Sequence, residues 1–379
     1  MKFHSLLSLQ LLSLMAFHSC QSSKGVDMEK MERKEIEMLQ MPRTDAFYTE
    51  EETDQESGTY YDSMTNWVLT DTATFSYPFT RSIENGNLTI ADSDDRCLRF
   101  YSWDTEQGGS MTMWGNLIQF RSGQDVKAVH QSIDRQLHPD AQFDEFDFGS
   151  YIDTIHTFPC ADGSKLYLAE SYSSMSGNYS ANYLLAMRIQ DGNLVSAPCF
   201  VRQGKRTDQI GLEHSVASWY FIANLGEGWD WIFRYDQEAQ NLYVASTDSM
   251  ETLIDRYDIY HFNGSDFIYQ KTGGPFWLYP ELREYQRLEL LFKTKDYMIR
   301  IDNLDGETMR YTSWKSTQQM SDVPQVVLTG EYNEEENTFL FSQGSYNYAV
   351  TLEPNVCLKV LHHGEVILQQ KQETQTDGN

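Results

Sequence analysis

Beyond residue 60 the chain is a succession of short apolar or alternating runs broken by turn residues, a pattern that predicts strands rather than helices. The clearest block covers 151–158, 165–170, 182–189 and 194–201, with turns at Asp162 and Gly163 and at Asp191 and Gly192. Four consecutive antiparallel strands are the makeup of one propeller blade. A looser copy follows over 218–223, 229–235, 242–246, 256–262 and 267–269, with a turn at Asn263 and Gly264. In the two copies Leu166, Tyr167, Leu168 and Ala169 stand against Leu242, Tyr243, Val244 and Ala245. A third copy is read over 88–91, 98–103 and 111–120, and further short strands run from 298–301 through 309–314, 326–328, 338–341, 346–352 and 358–361 to 366–368.

The predicted fold is all-β, with β-propeller-like antiparallel blades over 61–275. A C-terminal β region over 276–372 either continues the propeller or forms a separate domain after Gly273, Gly274 and Pro275. Blades usually repeat every roughly 40–50 residues, so the wider spacing here requires hairpin insertions. Two segments read as helical. Val126, Val129, Ile133 and Leu137 fall on one helical face ahead of Pro139, and Leu282, Tyr285, Leu288 and Leu291 predict a segment that begins helical and becomes strand.

The N-terminus follows other rules. Lys2 precedes an apolar run from Leu6 to Phe17, then His18, Ser19 and Cys20. The run is too short to span a bilayer, which needs about 20 apolar residues, and reads as a signal peptide over 1–19. A small residue before a cysteine resembles the bacterial lipobox, although Phe17 and His18 depart from its commonest form. The resemblance implies lipidation at Cys20 and contact with the membrane through that lipid only. Residues 20–60 are rich in charge, from Glu29, Lys30 and Glu32 to Glu50, Glu51 and Glu52, and read as an acidic tether. Met28, Met31, Ile36 and Met38 offer a short helix at most, because they form no clean apolar stripe.

Charge narrows the partners. The formal net charge is −27, and cleavage after residue 19 removes one lysine and no carboxylate. Nucleic acid and anionic lipid surfaces are poor partner candidates, since both are bound through clustered Lys and Arg. The densest basic run, Lys205 and Arg206 after Gly204, reads as a turn. Four cysteines remain after Cys20: Cys97, Cys160, Cys199 and Cys357. Outside the cytosol they allow three pairings. Cys160 with Cys199 is the favoured pair, because both end strands of one four-stranded unit, and buried thiols are the alternative.

The run Ser93, Asp94, Asp95, Arg96, Cys97, Leu98, Arg99, Phe100, Tyr101, Ser102, Trp103, Asp104, continuing to Gly108, Gly109, Ser110 and Met111, resembles a segment of uncharacterised secreted lipoproteins of Bacteroidota. Residues 73–79, 255–264 and the C-terminal hairpins from Tyr346 to Gly364 resemble the same family, so the likeness extends over most of the chain. It implies a β architecture and a place in the envelope, and brings no catalytic residue with it.

Ser102, Trp103 and Asp104 with Gly108 and Trp114 are similar to the Asp-box of sialidases, with the glycine two positions late. That motif is a structural hairpin. Asp92, Asp94 and Asp95, and Asp302, Asp305 and Glu307, put carboxylates on short loops without the EF-hand spacing, and read as solvated turns. Aromatics at Trp229 and Trp231, and at Phe276, Trp277 and Tyr279, suit sugar stacking or core packing, the latter preferred because Trp229 to Tyr235 alternates as a strand with one face in a core. His362 and His363 precede Gly364 in a hairpin turn. HExxH, GxSxG, the P-loop and GxGxxG are missing. No catalytic, cofactor-binding or metal residue is assigned. The sequence points to a lipid-anchored envelope protein, at the outer membrane on its periplasmic or surface face, acting as a non-catalytic module that binds a glycan or an envelope protein. A glycoside hydrolase-like enzyme on a propeller scaffold is the alternative.

Overall fold

The computed structural model describes residues 27–43, 59–105, 112–130, 150–217 and 232–373. The signal peptide, Cys20, Glu50–Glu52, Gly108, the 218–223 strand and Trp229 and Trp231 lie outside them. Contacts divide the chain into two units, Met1–Asn87 and Leu88–Asn379.

The described part of the first unit is helical: α1 (Met28–Met38), α2 (Tyr60–Thr70), a 3-10 turn over Thr72–Ser76 and α3 (Thr80–Glu84). The Asp27 side chain caps α1 by accepting from the Lys30 amide, and Thr59 with Asp62 forms a capping box on α2. Within the stretch read as a tether, α1 is fixed by a carboxylate rather than by an apolar stripe. Glu35 is 1% exposed, and accepts from Tyr77 Oη at 2.6 Å and from the Ser82 amide and hydroxyl, each at 2.7 Å. Met31 and Met38 are buried beside it. Tyr77 and Ser82 are more than forty residues downstream, so nothing local announces the anchor.

The described part of the second unit is all-β and built from sheets that are antiparallel but for one pairing. Sheet A is a meander of β1 (Thr89–Asp92), β2 (Leu98–Asp104), β3 (Trp114–Ser122) and β4 (Asp125–His130). β4 occupies the start of the segment predicted as a helix; residues 131–149 are not described. Gly123, at φ 69°, turns the chain so that Ser122 pairs with Asp125 and Ile118 with Val129. A hairpin partner one turn away outweighs a helical spacing that needs four residues to show itself.

Sheet B starts with β5 (Tyr151–Pro159), β6 (Lys165–Ser174), β7 (Tyr179–Gln190) and the short β8 (Asn193–Ser196). The fourth predicted strand, 194–201, is in fact two. Pro198 has no N–H to give the ladder, and beyond it β9 (Phe200–Arg202) and β10 (Lys205–Thr207) join a different sheet. Gln203 and Gly204 form the turn between them, both at positive φ. β11 (Gln209–Ser215) then returns to pair with β7, giving sheet B the order β11-β7-β6-β5.

Sheet C completes itself with β12 (Phe233–Asp236), β13 (Asn241–Thr247), β14 (Leu253–Phe262) and β15 (Phe267–Gly273), in the order β10-β9-β15-β14-β13-β12. Its β9–β15 pairing is parallel. The two repeat copies meet here: Leu166 and Leu168 of β6 and Leu242 and Val244 of β13 lie in one core between sheets B and C. Phe158 of β5 inserts into it, with ring centroids 4.7 Å from Tyr235 and 5.2 Å from Phe267. The opposite face of β6, through Tyr167 and Ala169, packs with Phe100 and Ile118 of sheet A. Sheets A, B and C are therefore stacked face to face by strict alternation along their strands.

Cys160 and Cys199 share the B–C core as thiols, and neither they nor Cys97 and Cys357 form a disulfide, against the favoured pairing. Burial pushes the Cys199 thiol up to about 12, which keeps it protonated and unreactive.

After Gly274 and a 3-10 turn over Pro280–Leu282, sheet D runs in chain order: β16 (Arg287–Lys293), β17 (Tyr297–Asn303), β18 (Met309–Lys315), β19 (Val326–Asn333), β20 (Thr338–Gln343), β21 (Tyr346–Thr351), β22 (Cys357–His362) and β23 (Glu365–Lys371). The predicted 280–292 segment does begin helical and become strand. The sheet curls into a half-barrel around Ile299, Tyr311, Phe341 and Val350. Its two edges touch where the Glu373 amide donates to the Lys293 carbonyl at 2.9 Å.

Sheets C and D are joined by a buried ionic clamp. Arg300 of β17, fully buried, lies 2.6 Å from Asp255 of β14 and 2.7 Å from Asp302, which also holds Arg310 at 2.7 Å. Tyr285 Oη donates to Asp255 at 2.9 Å, and the Arg300 guanidinium lies 4.7 Å from the Tyr285 ring centroid. Two cations and two carboxylates balance, which is the condition for charges this deep.

Candidate functional site

The same alternation that builds the B–C core produces a cleft at its end. Along β6, Leu166 and Leu168 are covered by sheet C, and the next two residues of that parity are Glu170 and Tyr172. Along β7, the parity of Ala186 and Leu184 continues to Asn182 and Ser180, and on β11 that of Leu212 continues to His214. The core face of sheet B thus turns polar. With Tyr151 and Asp153 of β5 and a wall of Val216, Ile232 and Phe233, these side chains line a cavity of about 330 Å³.

Diagonal cross-strand bonds fix the floor. His214 pairs in register with Ser180, and its Nε2 lies 3.0 Å from Asn182 Oδ1. Its Nδ1 lies 3.3 Å from the Ser215 carbonyl. Tyr172 and Ser180 hydroxyls are 3.1 Å apart, and His156 Nε2 is 2.5 Å from Glu170 Oε1. Pairs offset by two residues on adjacent strands are within reach of such side chains.

β5 carries a bulge between Ile152 and Thr154, opposite Ser171 and Glu170. The extra residue is Asp153, which a bulge re-aims. Tyr151 Oη donates to it at 3.2 Å. Burial, then the charge of Asp153, raises the Tyr151 phenol, so it stays a donor. His214 is 2% exposed, and burial lowers its pKa against the Ser215 carbonyl, so the ring at the base of the cleft is neutral near pH 7. The arrangement offers two carboxylates, a neutral imidazole, hydroxyls and amide, and the rings of Tyr151, Tyr172 and Phe233.

None of these residues was singled out by motif. The available signal was parity: Glu170, Asn182 and His214 are polar residues at core positions of otherwise apolar faces. The residues that sequence did single out serve the scaffold. Asp95 accepts from the Cys97 amide, Ser93, Lys165 and Tyr167, and Asp92 holds Arg99. Asp302 belongs to the clamp, and Asp305 caps the turn at Glu307 and Thr308. Trp103 of the Asp-box-like run lies across Gly115, where an added Cβ would be 2.3 Å from the indole. Phe276 packs on Tyr243 and Tyr257, in the core. His362 stacks on Tyr346 with centroids 4.4 Å apart, and His363 with Gly364 makes the β22–β23 turn.

No family model and no curated protein matches the chain. Among solved structures it is similar to the Dos1 propeller, at 11% identity over 76% of this chain and 62% of that one, with a TM-score of 0.22. The chain therefore spans less than two thirds of that propeller. It is also similar to a 6-phosphogluconolactonase candidate from Bacteroides fragilis, at 9% identity over 76% and 81% of the two chains with a TM-score of 0.20. AofleA from Arthrobotrys oligospora, as a triple-arginine mutant, gives 9% identity over 75% and 71% with a TM-score of 0.19. Likenesses this low carry no argument about ligand or activity.

Proposed function

We propose that the chain is a lipid-anchored, non-catalytic binding module of the cell envelope, acylated at Cys20, which takes a glycan unit or a group of an envelope protein in the cleft between Asp153 and His214. One observation supports this reading above the others: the cleft's polar groups are locked to one another, His214 to Asn182 and Tyr172 to Ser180. Such preorganisation favours recognition of a fixed ligand shape.

Mature chain purified in detergent, screened against glycans, peptidoglycan fragments and envelope proteins, gives saturable binding without turnover. Tyr172→Ala, at a half-exposed position, abolishes the binding at an unchanged urea midpoint. Binding indifferent to Tyr172→Ala removes the cleft from the reading. Mass spectrometry of the native N-terminus finds a lipid on Cys20, and an intact, unacylated residue 1–20 segment removes the anchor. A carbohydrate-active enzyme is the second reading, favoured by the two carboxylates, Asp153 and Glu170, that line the same cleft. Its signature is hydrolysis that disappears in Glu170→Gln while binding persists.

A further inference from the structure

We infer that the cleft selects a ligand bearing a protonated amine, and that an amino-sugar unit is the matching class; this rests on the cleft being a binding site. Elsewhere in the unit, several aspartates partly or wholly withdrawn from water are met by an arginine or lysine: Arg99 on Asp92, Lys165 on Asp95, Arg202 on Asp258, Arg206 on Asp266, and Arg300 with Arg310 on Asp302. The cleft differs: Asp153 is exposed at its mouth and Glu170 is half-buried against His156. Its described lining includes Asp153 and Glu170 and no lysine or arginine. Asp153 receives a neutral phenol and Glu170 an imidazole, each on one oxygen. An ionised carboxylate has about four acceptor sites, so both keep capacity directed at whatever enters.

The remaining walls suit the same class. Tyrosine and phenylalanine faces attract an ammonium within about 6 Å of the ring centroid, and they also cover the C–H faces of a sugar ring. Ser180 and Asn182 offer hydroxyl partners, and a volume of about 330 Å³ lies at the small end of ligand sites, which run from roughly 300 to 1,000 Å³. An anionic sugar would face two carboxylates with no lysine or arginine in the lining to offset them. The overall charge of −27 acts in the same direction, but it is screened beyond about 8 Å at physiological salt. Discrimination therefore rests on the two local carboxylates.

The test is calorimetric titration of the mature chain at pH 6.5 with three tetramers of equal length: β-1,4-linked glucosamine, its fully N-acetylated form, and β-1,4-linked glucose. The glucosamine tetramer binds at least 10-fold tighter than the other two. Its affinity falls at least 10-fold in the double variant Asp153→Asn with Glu170→Gln, whose urea midpoint stays at the wild-type value. Equal binding of the acetylated or glucose tetramer, still lost in Tyr172→Ala, overturns the amine and leaves the binding module standing. Undiminished glucosamine binding in the double variant assigns the attraction to the acidic surface and overturns the proposal. Binding of none of the three also overturns it, while the broader screen with Tyr172→Ala decides separately on the cleft.

Discussion

Removing Arg300 isolates the most deeply buried ion pairs among the described residues. Arg300→Met keeps much of the side-chain volume and leaves Asp302 with Arg310, but strips Asp255 of its cation 2.6 Å away. Asp255 is then a buried carboxylate with the Tyr285 phenol as its remaining hydrogen bond, 2.9 Å away. Breaking a buried pair from one side costs about 3–5 kcal/mol. With a urea m-value of about 3 kcal/mol/M, that lowers the midpoint by about 1–1.7 M.

The balanced variant, Arg300→Met with Asp255→Asn, removes the orphaned charge and recovers more than half of the loss. pH supplies an independent arm. Burial already raises the Asp255 pKa and Arg300 opposes it, so losing Arg300 raises it further. A carboxyl whose folded pKa exceeds its unfolded value loses stability as pH rises through the folded value. Arg300→Met therefore recovers toward wild type between pH 7 and pH 5. The readout is urea unfolding at both pH values, followed by intrinsic tryptophan fluorescence, to which the fully buried Trp314 of sheet D contributes. A cost below about 1 kcal/mol, or a double variant no better than the single, would falsify the clamp as an obligatory charge balance.

Three further outcomes follow from the same geometry. His214 is held neutral by burial below the ordinary 6.5, so the stability it contributes is full above that value and lost as pH falls below it; His214→Gln flattens the urea midpoint between pH 7 and pH 5, and an unchanged slope assigns the dependence elsewhere. A Cβ at Gly211 of β11 would lie 2.0 Å from the Asn182 carbonyl. Gly211→Ala therefore pushes the edge strand off β7 and costs about 1–3 kcal/mol, with ligand affinity falling as His214 moves away from Asn182. In the B–C core, Leu168→Ala costs about 2–5 kcal/mol, whereas Met250→Ala, 73% exposed, stays within about 0.5 kcal/mol; equal thermal shifts for the two would contradict the placement of the core.

Much of the architecture was legible because alternation is a local property. The strands read at 242–246, 309–314, 338–341 and 358–361 all fall inside observed ones, at β13, β18, β20 and β22, and the break at Gly273 and Gly274 is where sheet C gives way to sheet D. What escaped depends on partners distant in sequence. The departure of β9 at Pro198 requires β15 as a neighbour. α1 looks unanchored until Tyr77 and Ser82 reach Glu35. Cys160 and Cys199 end strands as expected, but an apolar core accepts them as thiols. The cleft sits at an intermediate level: each polar residue at a core parity was visible, and its convergence with two others depended on β11 pairing with β7.

The parallel contact between β9 and β15 imposes a schedule on assembly. Sheets A and D join only chain neighbours, so every pairing in them closes a short loop and forms as its hairpin emerges. Phe200 must wait for Phe267, 67 residues later, and loop closure over that distance is entropically slower than any hairpin in the unit. Until that closure, the sticky face bearing Cys199 and Phe200 has no cover, and whatever attends the nascent polypeptide has its window there.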